Sequence, residues 1–329
     1  MPDALVTLTD VRRARKRIGD AVRTTPLVPA PWPVAGGRPQ TDAPDTVWLK
    51  CENLQWVSAF KARGAHHFVG RLSDEEREAG LITYSSGNHA QAVAFAARSF
   101  GIRARIVMPV DAPMVKRQAT IALGADVEFV GTTSADRKGR AEEIRREDGG
   151  TMVPPFDDPD IIAGQGTVGL EIVQQLGDRT LSTVLVPIGG GGLLAGVAAS
   201  VRGLVPEARI IGVEPEGAAS MLRSLEEGGP VTLDRVETIA DGLKPVRPGD
   251  LTFRHVRDLV DEVITVDDGS IRRAVRWLFA RRLVVEPSGA ATVAALLAGT
   301  IGPSASGETV AVLSGGNIEP ALLAEWLRE

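Results

Sequence analysis

The sequence is poor in the residues that form covalent cross-links and transition-metal sites. It contains one cysteine, Cys51, and four histidines among 329 residues. A single thiol cannot close an internal disulfide, so we expect a protein of a reducing compartment, the cytoplasm. Four histidines without a second cysteine predict no transition-metal cluster.

Strong charge of one sign and long uninterrupted hydrophobic runs are also absent. The net charge of -5 is mild and gives no electrostatic footprint for binding nucleic acid. The most hydrophobic stretch, 184–199, is broken by Pro187 and five glycines, so no membrane span is expected. The N-terminus lacks the apolar core of a signal peptide. A hydrophobic share of 43% nevertheless predicts a globular protein with a sizeable core.

Short apolar runs alternate with amphipathic segments along most of the chain. This alternation predicts an α/β architecture with mostly parallel sheets. Strands are expected at 46–50, 81–84, 104–108, 126–130, 183–188, 209–213, 262–266 and 309–313, and helices near 88–100, 113–123, 134–148, 159–177, 192–203, 267–282, 288–298 and 319–328. Residues 78–154 contain three or four complete strand–helix units. We therefore expect a small inserted domain at 78–154 and a large domain formed by 1–77 and 155–329.

One lysine stands in an unusual setting. Lys61 follows the aromatic Phe60, enters a segment of small residues and precedes an expected helix. A lysine at a helix start is usually a surface residue. In a dry apolar site, however, the ammonium form is disfavoured and the amine becomes nucleophilic near neutral pH, which suits Schiff-base chemistry.

Two further segments have the composition of anion sites. Residues 85–91 (SSGNHAQ) place four polar residues around a glycine between a strand and a helix, more than an N-cap requires. Residues 189–192 are four consecutive glycines between a strand and a helix. Their N–H groups can surround a phosphate, and the helix dipole favours its charge.

The glycine run also permits a different interpretation. Gly190, Gly192 and Ala195 match the G-x-G-x-x-A pattern of dinucleotide sites, and Glu214 lies where a ribose-binding acid is expected. A nicotinamide-dependent dehydrogenase is therefore a rival hypothesis. Ser314-Gly315-Gly316-Asn317 directly follows the last expected strand. The dehydrogenase hypothesis gives no role to this segment, to Lys61 or to residues 85–91. A phosphorylated aldehyde cofactor gives a role to all four segments, which could converge on one cleft.

Taken together and in this order, the motifs resemble the fold-type II pyridoxal-phosphate enzymes, which are tryptophan-synthase β-like. Within them, the chain is most similar to the threonine dehydratases, serine dehydratases and serine racemases. The resemblance covers nearly the whole chain and includes segments 24–27, 49–55, 240–242 and 285–290 besides those above. It implies two three-layer α/β/α domains, with 1–77 and 155–329 binding the cofactor, and a homodimer. The implied reaction is conversion of L-threonine or L-serine to 2-oxobutanoate or pyruvate and ammonia by β-elimination.

The resemblance assigns cofactor-binding roles residue by residue. Lys61 holds pyridoxal phosphate covalently, Phe60 packs beside its ring, and Asn88 hydrogen-bonds to its ring hydroxyl oxygen. Ser314 faces the pyridine nitrogen, and Gly242 lies near the ring. The phosphate is held by Gly189, Gly190, Gly191, Gly192 and the N–H of Leu193.

The remaining roles concern the substrate and a cation. The substrate carboxylate is received by Ser85, Ser86, Gly87, Asn88 and His89. Ser86 also matches the serine that acts opposite the lysine in racemases, and it joins Lys61 as a catalytic residue. Glu214, Ala218 and Ser220 align with a racemase metal site. Ser220 replaces an acid there, which favours a monovalent or weakly held cation over a tightly bound divalent ion.

Two alternatives share this scaffold. A serine racemase would use Ser86 as its second base, and a hydroxyaspartate dehydratase would eliminate water from a substrate with one more carboxylate. The nicotinamide-dependent dehydrogenase remains a distant third possibility. The only partner expected besides a second copy of the chain is a small amino-acid substrate.

Overall fold

The computed structural model describes residues 4–33, 46–85, 87–304 and 306–328. Within these ranges the chain forms strands and helices in the alternating order expected of an α/β protein. The strands are β1 Leu27–Pro31, β2 Thr46–Cys51, β3 Leu81–Tyr84, β4 Ala104–Met108, β5 Asp126–Phe129, β6 Thr151–Met152, β7 Leu181–Pro187, β8 Arg209–Pro215, β9 Glu262–Val266 and β10 Glu308–Leu313. The helices are α1 Leu8–Ile18, α2 Lys61–Gly70, α3 Asp74–Glu78, α4 Asn88–Phe100, α5 Met114–Ala122, α6 Ser134–Asp148, α7 Pro159–Leu176, α8 Gly192–Leu204, α9 Ser220–Glu227, α10 Asp250–Leu259, α11 Asp268–Phe279, α12 Pro287–Leu297 and α13 Pro320–Trp326.

The strands form two sheets. The larger has the order β1-β2-β10-β7-β8-β9, and the smaller has the order β5-β4-β3-β6. Every pairing is parallel except that of β1 with β2, which is antiparallel. The expected α/β class with mostly parallel sheets is therefore confirmed.

Side chains of the larger sheet alternate between two cores. Val184 and Val186 of β7 pack with α7, α8 and α10, whereas Leu185 between them packs on the opposite face with α11 and α12. This period of two is the geometry of a strand that is buried on both faces. The smaller sheet is covered by α2 and α4 on one face and by α6 on the other. Both sheets are thus the middle layer of three.

The smaller sheet is built from chain segment 81–152, and the larger sheet is built from segments on either side of it. This arrangement fits the expected insertion, while the domain boundaries at 77/78 and 154/155 stay a prediction. Among the described residues, no helix is both long and apolar enough to cross a bilayer.

Several elements differ from the sequence prediction. β1 contains Pro29 and Pro31, which argue against a strand, but it lies at the sheet edge where a missing N–H is tolerated. β6 has only two residues. Helices α9 and α10 were not predicted, although their apolar residues lie on one face of each helix.

Candidate active site

Lys61 lies beside the end of the central strand β10. The segment before it pairs with the residues that follow β10: Ala59 bridges to Gly315, and the Phe60 N–H donates to the Ser314 carbonyl at 3.1 Å. Lys61 is then the first residue of α2. The structure therefore brings Lys61, Phe60 and Ser314 together, although they are separated by about 250 residues in the sequence.

The amine of Lys61 is enclosed without a charged partner. Its Nζ donates to the Pro155 carbonyl at 2.5 Å, and among the described residues no carboxylate forms an ion pair with it. Burial lowers the pKa of Lys61 to about 8, because nothing offsets the loss of hydration. The residue as a whole is half-buried. A substantial fraction of this amine is therefore neutral near physiological pH.

The backbone that leads into Lys61 is strained. Val57 and Ser58 have φ values of 55° and 51°, a region that residues other than glycine rarely adopt. Their carbonyls accept hydrogen bonds from Asn317 Nδ2 at 2.9 Å and from the Gly316 N–H at 2.8 Å. The loop after β10 thus stabilises this conformation. Sequence patterns give no signal for the strain, because its cause lies in contacts between distant segments.

The four glycines form the connection between β7 and α8. Among the described residues, none accepts a hydrogen bond from the N–H groups of Gly189 to Leu193. These groups lie at the N-terminus of a 13-residue helix, where an anion is favoured. Gly191 has a φ of 95°, which side-chain-bearing residues avoid. The loop therefore fits a phosphate group.

Phe156 connects the glycine loop to Lys61. A methyl group added to Gly190 would lie 2.3 Å from the Phe156 ring, and Phe156 follows Pro155, the acceptor for Lys61 Nζ. The turn at Gly242 lies on another side of the loop, since a methyl group on Gly189 would be 3.0 Å from the Gly242 carbonyl. Phe156 was not among the predicted site residues.

Asn88 is held by protein groups on both ends of its amide. As the first residue of α4, it donates from Nδ2 to Glu286 Oε1 at 2.5 Å and accepts at Oδ1 from Asn317 Nδ2 at 2.9 Å. One N–H of the amide remains for another acceptor. The geometry therefore fits a hydrogen bond from Asn88 to a ring hydroxyl oxygen.

The segment expected to receive a carboxylate extends from β3. The Gly87 N–H donates to Ser85 Oγ at 3.2 Å, and Ser86 lies outside the described residues. His89 Nε2 lies 3.1 Å from the Val153 carbonyl, which makes Nε2 the protonated nitrogen. Burial, with the nearby charge of Lys61, lowers the pKa of His89 to about 3. His89 is therefore a neutral, positioned group and not an acid–base catalyst near pH 7.

The predicted cation ligands surround the start of α9. Both carboxylate oxygens of Glu214 accept backbone N–H groups, from Met221 and Leu222, at 2.9 Å each. Burial raises the pKa of Glu214 to about 7. Ser220 Oγ is buried without a hydrogen-bond partner, and Ala218 is buried in the preceding turn. The described residues contain no group of three His, Cys, Asp or Glu side chains suited to a metal ion. The dehydrogenase hypothesis required Glu214 to bind a ribose. Both of its carboxylate oxygens instead accept from the backbone at the start of α9.

Known proteins resemble this chain along its length. The family model described as pyridoxal-phosphate dependent enzyme matches residues 18–315. An L-threonine ammonia-lyase of Thermotoga maritima is 41% identical over 319 residues, which are 96% of this chain and 76% of that protein. Among solved structures, maize serine racemase has a TM-score of 0.89 and 35% identity, covering 99% of this chain and 98% of its own. Threonine deaminase isoform 2 of Solanum lycopersicum has a TM-score of 0.86 and 37% identity, covering 98% and 86%.

Proposed function

The chain belongs to the pyridoxal-phosphate dependent enzyme family, and we propose that it is a threonine/serine ammonia-lyase. L-Threonine is converted to 2-oxobutanoate and ammonia, and L-serine to pyruvate and ammonia. The relatives named for threonine deamination support this choice. The observation that carries it is the Lys61 amine, which has a pKa of about 8 and bonds to Pro155, the neighbour of the Phe156 that packs on the glycine loop.

The residues of the cleft fit pyridoxal phosphate. Lys61 offers an amine for the aldehyde, the N–H groups of the glycine loop offer a phosphate site, and Asn88 retains one free N–H. Ser314 follows β10 and is buried at the pairing with Phe60. When bound, the cofactor supplies an electron sink that stabilises negative charge at the substrate α-carbon.

Lys61 performs the central proton transfer in this proposal. With pyridoxal phosphate bound, the neutral Lys61 Nζ would remove the substrate α-proton and pass it to the β-hydroxyl, which would leave as water. The released enamine then takes up water and yields the 2-oxo acid and ammonia, so that no net water is consumed. Ser314 would offer the ring nitrogen a hydroxyl and not a carboxylate. The cofactor would then supply a weaker electron sink, which would favour elimination over transamination.

A 2-oxo acid assay across substrates tests the proposal. Serine, threonine, hydroxyaspartate and diaminopropionate are supplied as both enantiomers, and keto-acid formation is followed with a hydrazine reagent. We expect turnover of L-threonine, L-serine or both. Turnover limited to hydroxyaspartate or diaminopropionate would show that the substrate assignment is wrong while the family stands.

A serine racemase is the second candidate, because the fold agrees closely with that of maize serine racemase. Racemisation needs a second base opposite Lys61, and Ser86 is the residue proposed for it. Chiral chromatography of recovered L-serine distinguishes the two functions. We expect 2-oxo acid to form faster than D-serine, and the reverse order would favour the racemase.

We also propose a weakly bound cation at Glu214, Ala218 and Ser220. The unpartnered, buried hydroxyl of Ser220 supports it, and the two N–H groups that already bond to Glu214 compete with it. A rise in melting temperature when potassium or magnesium chloride replaces tetramethylammonium chloride, absent in Glu214→Ala, is the expected result. No rise in the parent protein would contradict the cation site.

A homodimer in the cytoplasm completes the proposal. Exposed apolar side chains of Val110, Met114 and Ile121, on and just before α5, offer surface that a second copy could cover. Light scattering coupled to gel filtration measures the mass in solution. A mass of twice 34.8 kDa is expected, and a monomer would contradict it.

A further inference from the structure

A buried lysine outside the predicted site links the two sheets. Lys116 lies on α5, between strands β4 and β5 of the smaller sheet, and its side chain is 2% exposed. Its Nζ donates to Asp241 Oδ2 at 2.6 Å and to Glu286 Oε2 at 3.0 Å. Both carboxylates belong to segments of the larger sheet unit. Lys116 therefore crosses from one layered unit to the other.

The stem of Lys116 passes directly over the segment between β3 and α4. A methyl group added to Gly87 would lie 2.3 Å from Lys116 Cδ. The Lys116 side chain can therefore take this path only because residue 87 has no side chain. A second bond joins the same helix to the larger unit, from the Val115 N–H to Glu319 Oε1 at 2.9 Å. The start of α5 is thus fixed against the larger unit at two points.

Glu286 connects Lys116 to Asn88 through hydrogen bonds. Its two oxygens accept from different donors, Oε2 from Lys116 and Oε1 from Asn88 Nδ2. Since an ammonium and an amide NH2 can only donate, this geometry requires the carboxylate form of Glu286. Asn317 donates to the other end of the Asn88 amide, so the orientation of that amide is fixed.

Burial raises the pKa of Glu286, and the ammonium of Lys116 opposes that shift. Burial alone would lower the pKa of Lys116, but the carboxylates of Glu286 and Asp241 raise it above the ordinary value. Lys116 is therefore an ammonium ion, in contrast to Lys61. Asp241 also begins the turn that contains Gly242, whose N–H donates to Ser288 Oγ at 2.8 Å.

We propose that Lys116 is a positioning residue for the cofactor site: it fixes Glu286, and through Glu286 it directs the free N–H of Asn88 into the cleft. This inference rests on the proposed cofactor site and is independent of which amino acid is the substrate.

Substituting Glu286 by glutamine keeps the size and shape of the side chain but changes which hydrogen bonds it can accept. The carboxamide oxygen of a Glu286→Gln variant can accept from Lys116 or from Asn88, and the ammonium takes it. The amide NH2 then faces Asn88 Nδ2, and Asn88 must turn. In the double variant Lys116→Met, Glu286→Gln, the competing donor is gone, and the carboxamide oxygen can accept from Asn88 again.

The measurement is the dissociation constant of pyridoxal phosphate for each apoenzyme, by absorbance titration, together with kcat and KM for the holoenzyme. We expect Glu286→Gln to bind the cofactor about tenfold more weakly and the double variant to recover about threefold of that loss, because the two sites are coupled. The exposed Lys138→Met, which removes a charge from the same unit, should change neither value.

Equal dissociation constants for Glu286→Gln and the double variant would overturn the inference. If variants of Lys116 do not fold, Asp241→Asn replaces them. Like Glu286→Gln, the Asp241→Asn substitution removes one of the two carboxylates that pair with Lys116. No hydrogen bond joins Asp241 to Asn88 among the described residues. Cofactor loss should then be about fivefold smaller than in Glu286→Gln, and equal losses would overturn the inference. A parent protein that binds no cofactor would instead refute the proposed function.

Discussion

At the scale of single residues, three buried lysine amines differ in what surrounds them. Lys50 pairs with Glu171 at 2.6 Å, and Lys116 pairs with Asp241 and Glu286. Among the described residues, Lys61 has no such partner, and its pKa falls to about 8 because burial acts alone. Lys116 is therefore a fixed cation, whereas we propose that Lys61 acts as a nucleophile.

The pH dependence of cofactor incorporation tests this difference. Below the pKa, Lys61 is protonated and cannot attack the aldehyde, so the rate should rise with pH through about 8 and then level off. A solvated lysine would show no plateau before about pH 10. Stopped-flow absorbance of apoenzyme mixed with pyridoxal phosphate measures the profile, and Lys61→Ala is the control. A continuous rise to pH values near that of free lysine would contradict the enclosed amine.

At the scale of elements, the turn into α8 combines a left-handed residue with unpartnered N–H groups. Gly191 precedes the helix with a φ of 95°, and a methyl group there would lie 2.8 Å from Thr252 Cβ. Any side chain at this position would shift the N–H groups that are proposed to bind phosphate.

Alanine substitutions at two glycines test whether the conformation of the glycine loop matters for cofactor binding. Gly191→Ala should weaken pyridoxal phosphate binding by at least about tenfold, a cost of about 1.4 kcal/mol. Gly139→Ala is the matched control, because Gly139 lies in α6 with open space around it. It should leave cofactor binding unchanged and stabilise the fold by about 0.5–1 kcal/mol. Unchanged binding in Gly191→Ala would exclude the loop as the phosphate site.

The elements also show how far the sequence alone leads. Strand β4 and helix α4 have the predicted bounds, since apolar runs and turn residues specify them locally. Strand ends and helix starts also predicted that Lys61, the glycine loop and Ser314 could converge, and their roles at a cofactor stay a prediction. Lys116 and Phe156 were missed as site residues because their partners come from distant segments. The Lys116–Glu286 pair spans 170 positions, and no local pattern encodes it.

At the scale of the whole molecule, a buried charge cluster joins the segments that carry Lys61. Arg63, two residues after Lys61, pairs with Glu52 at 2.8 Å and with Glu171 at 2.6 Å, and Lys50 completes the cluster. Glu52 follows β2, and Glu171 lies on α7. The cluster therefore fixes α2 to the larger sheet and to α7, with balanced charge.

Removing Arg63 should be costly. Arg63→Met leaves two buried carboxylates with Lys50 as their only cation in the cluster, and we expect a loss of about 3–5 kcal/mol in the free energy of unfolding. The exposed Arg13→Met, which breaks the pair with Asp10, should cost at most about 1 kcal/mol. Urea unfolding followed by circular dichroism measures both. Similar small losses would show that the cluster contributes little to stability.

Borohydride reduction of the holoenzyme, followed by peptide mass spectrometry, tests most directly whether Lys61 carries the cofactor. The chain has six lysines, so the position of the reduced pyridoxyl adduct distinguishes among few sites. We expect the adduct on Lys61 and on no other lysine. An adduct confined to another lysine, or tight cofactor binding without any adduct, would contradict the proposed active site.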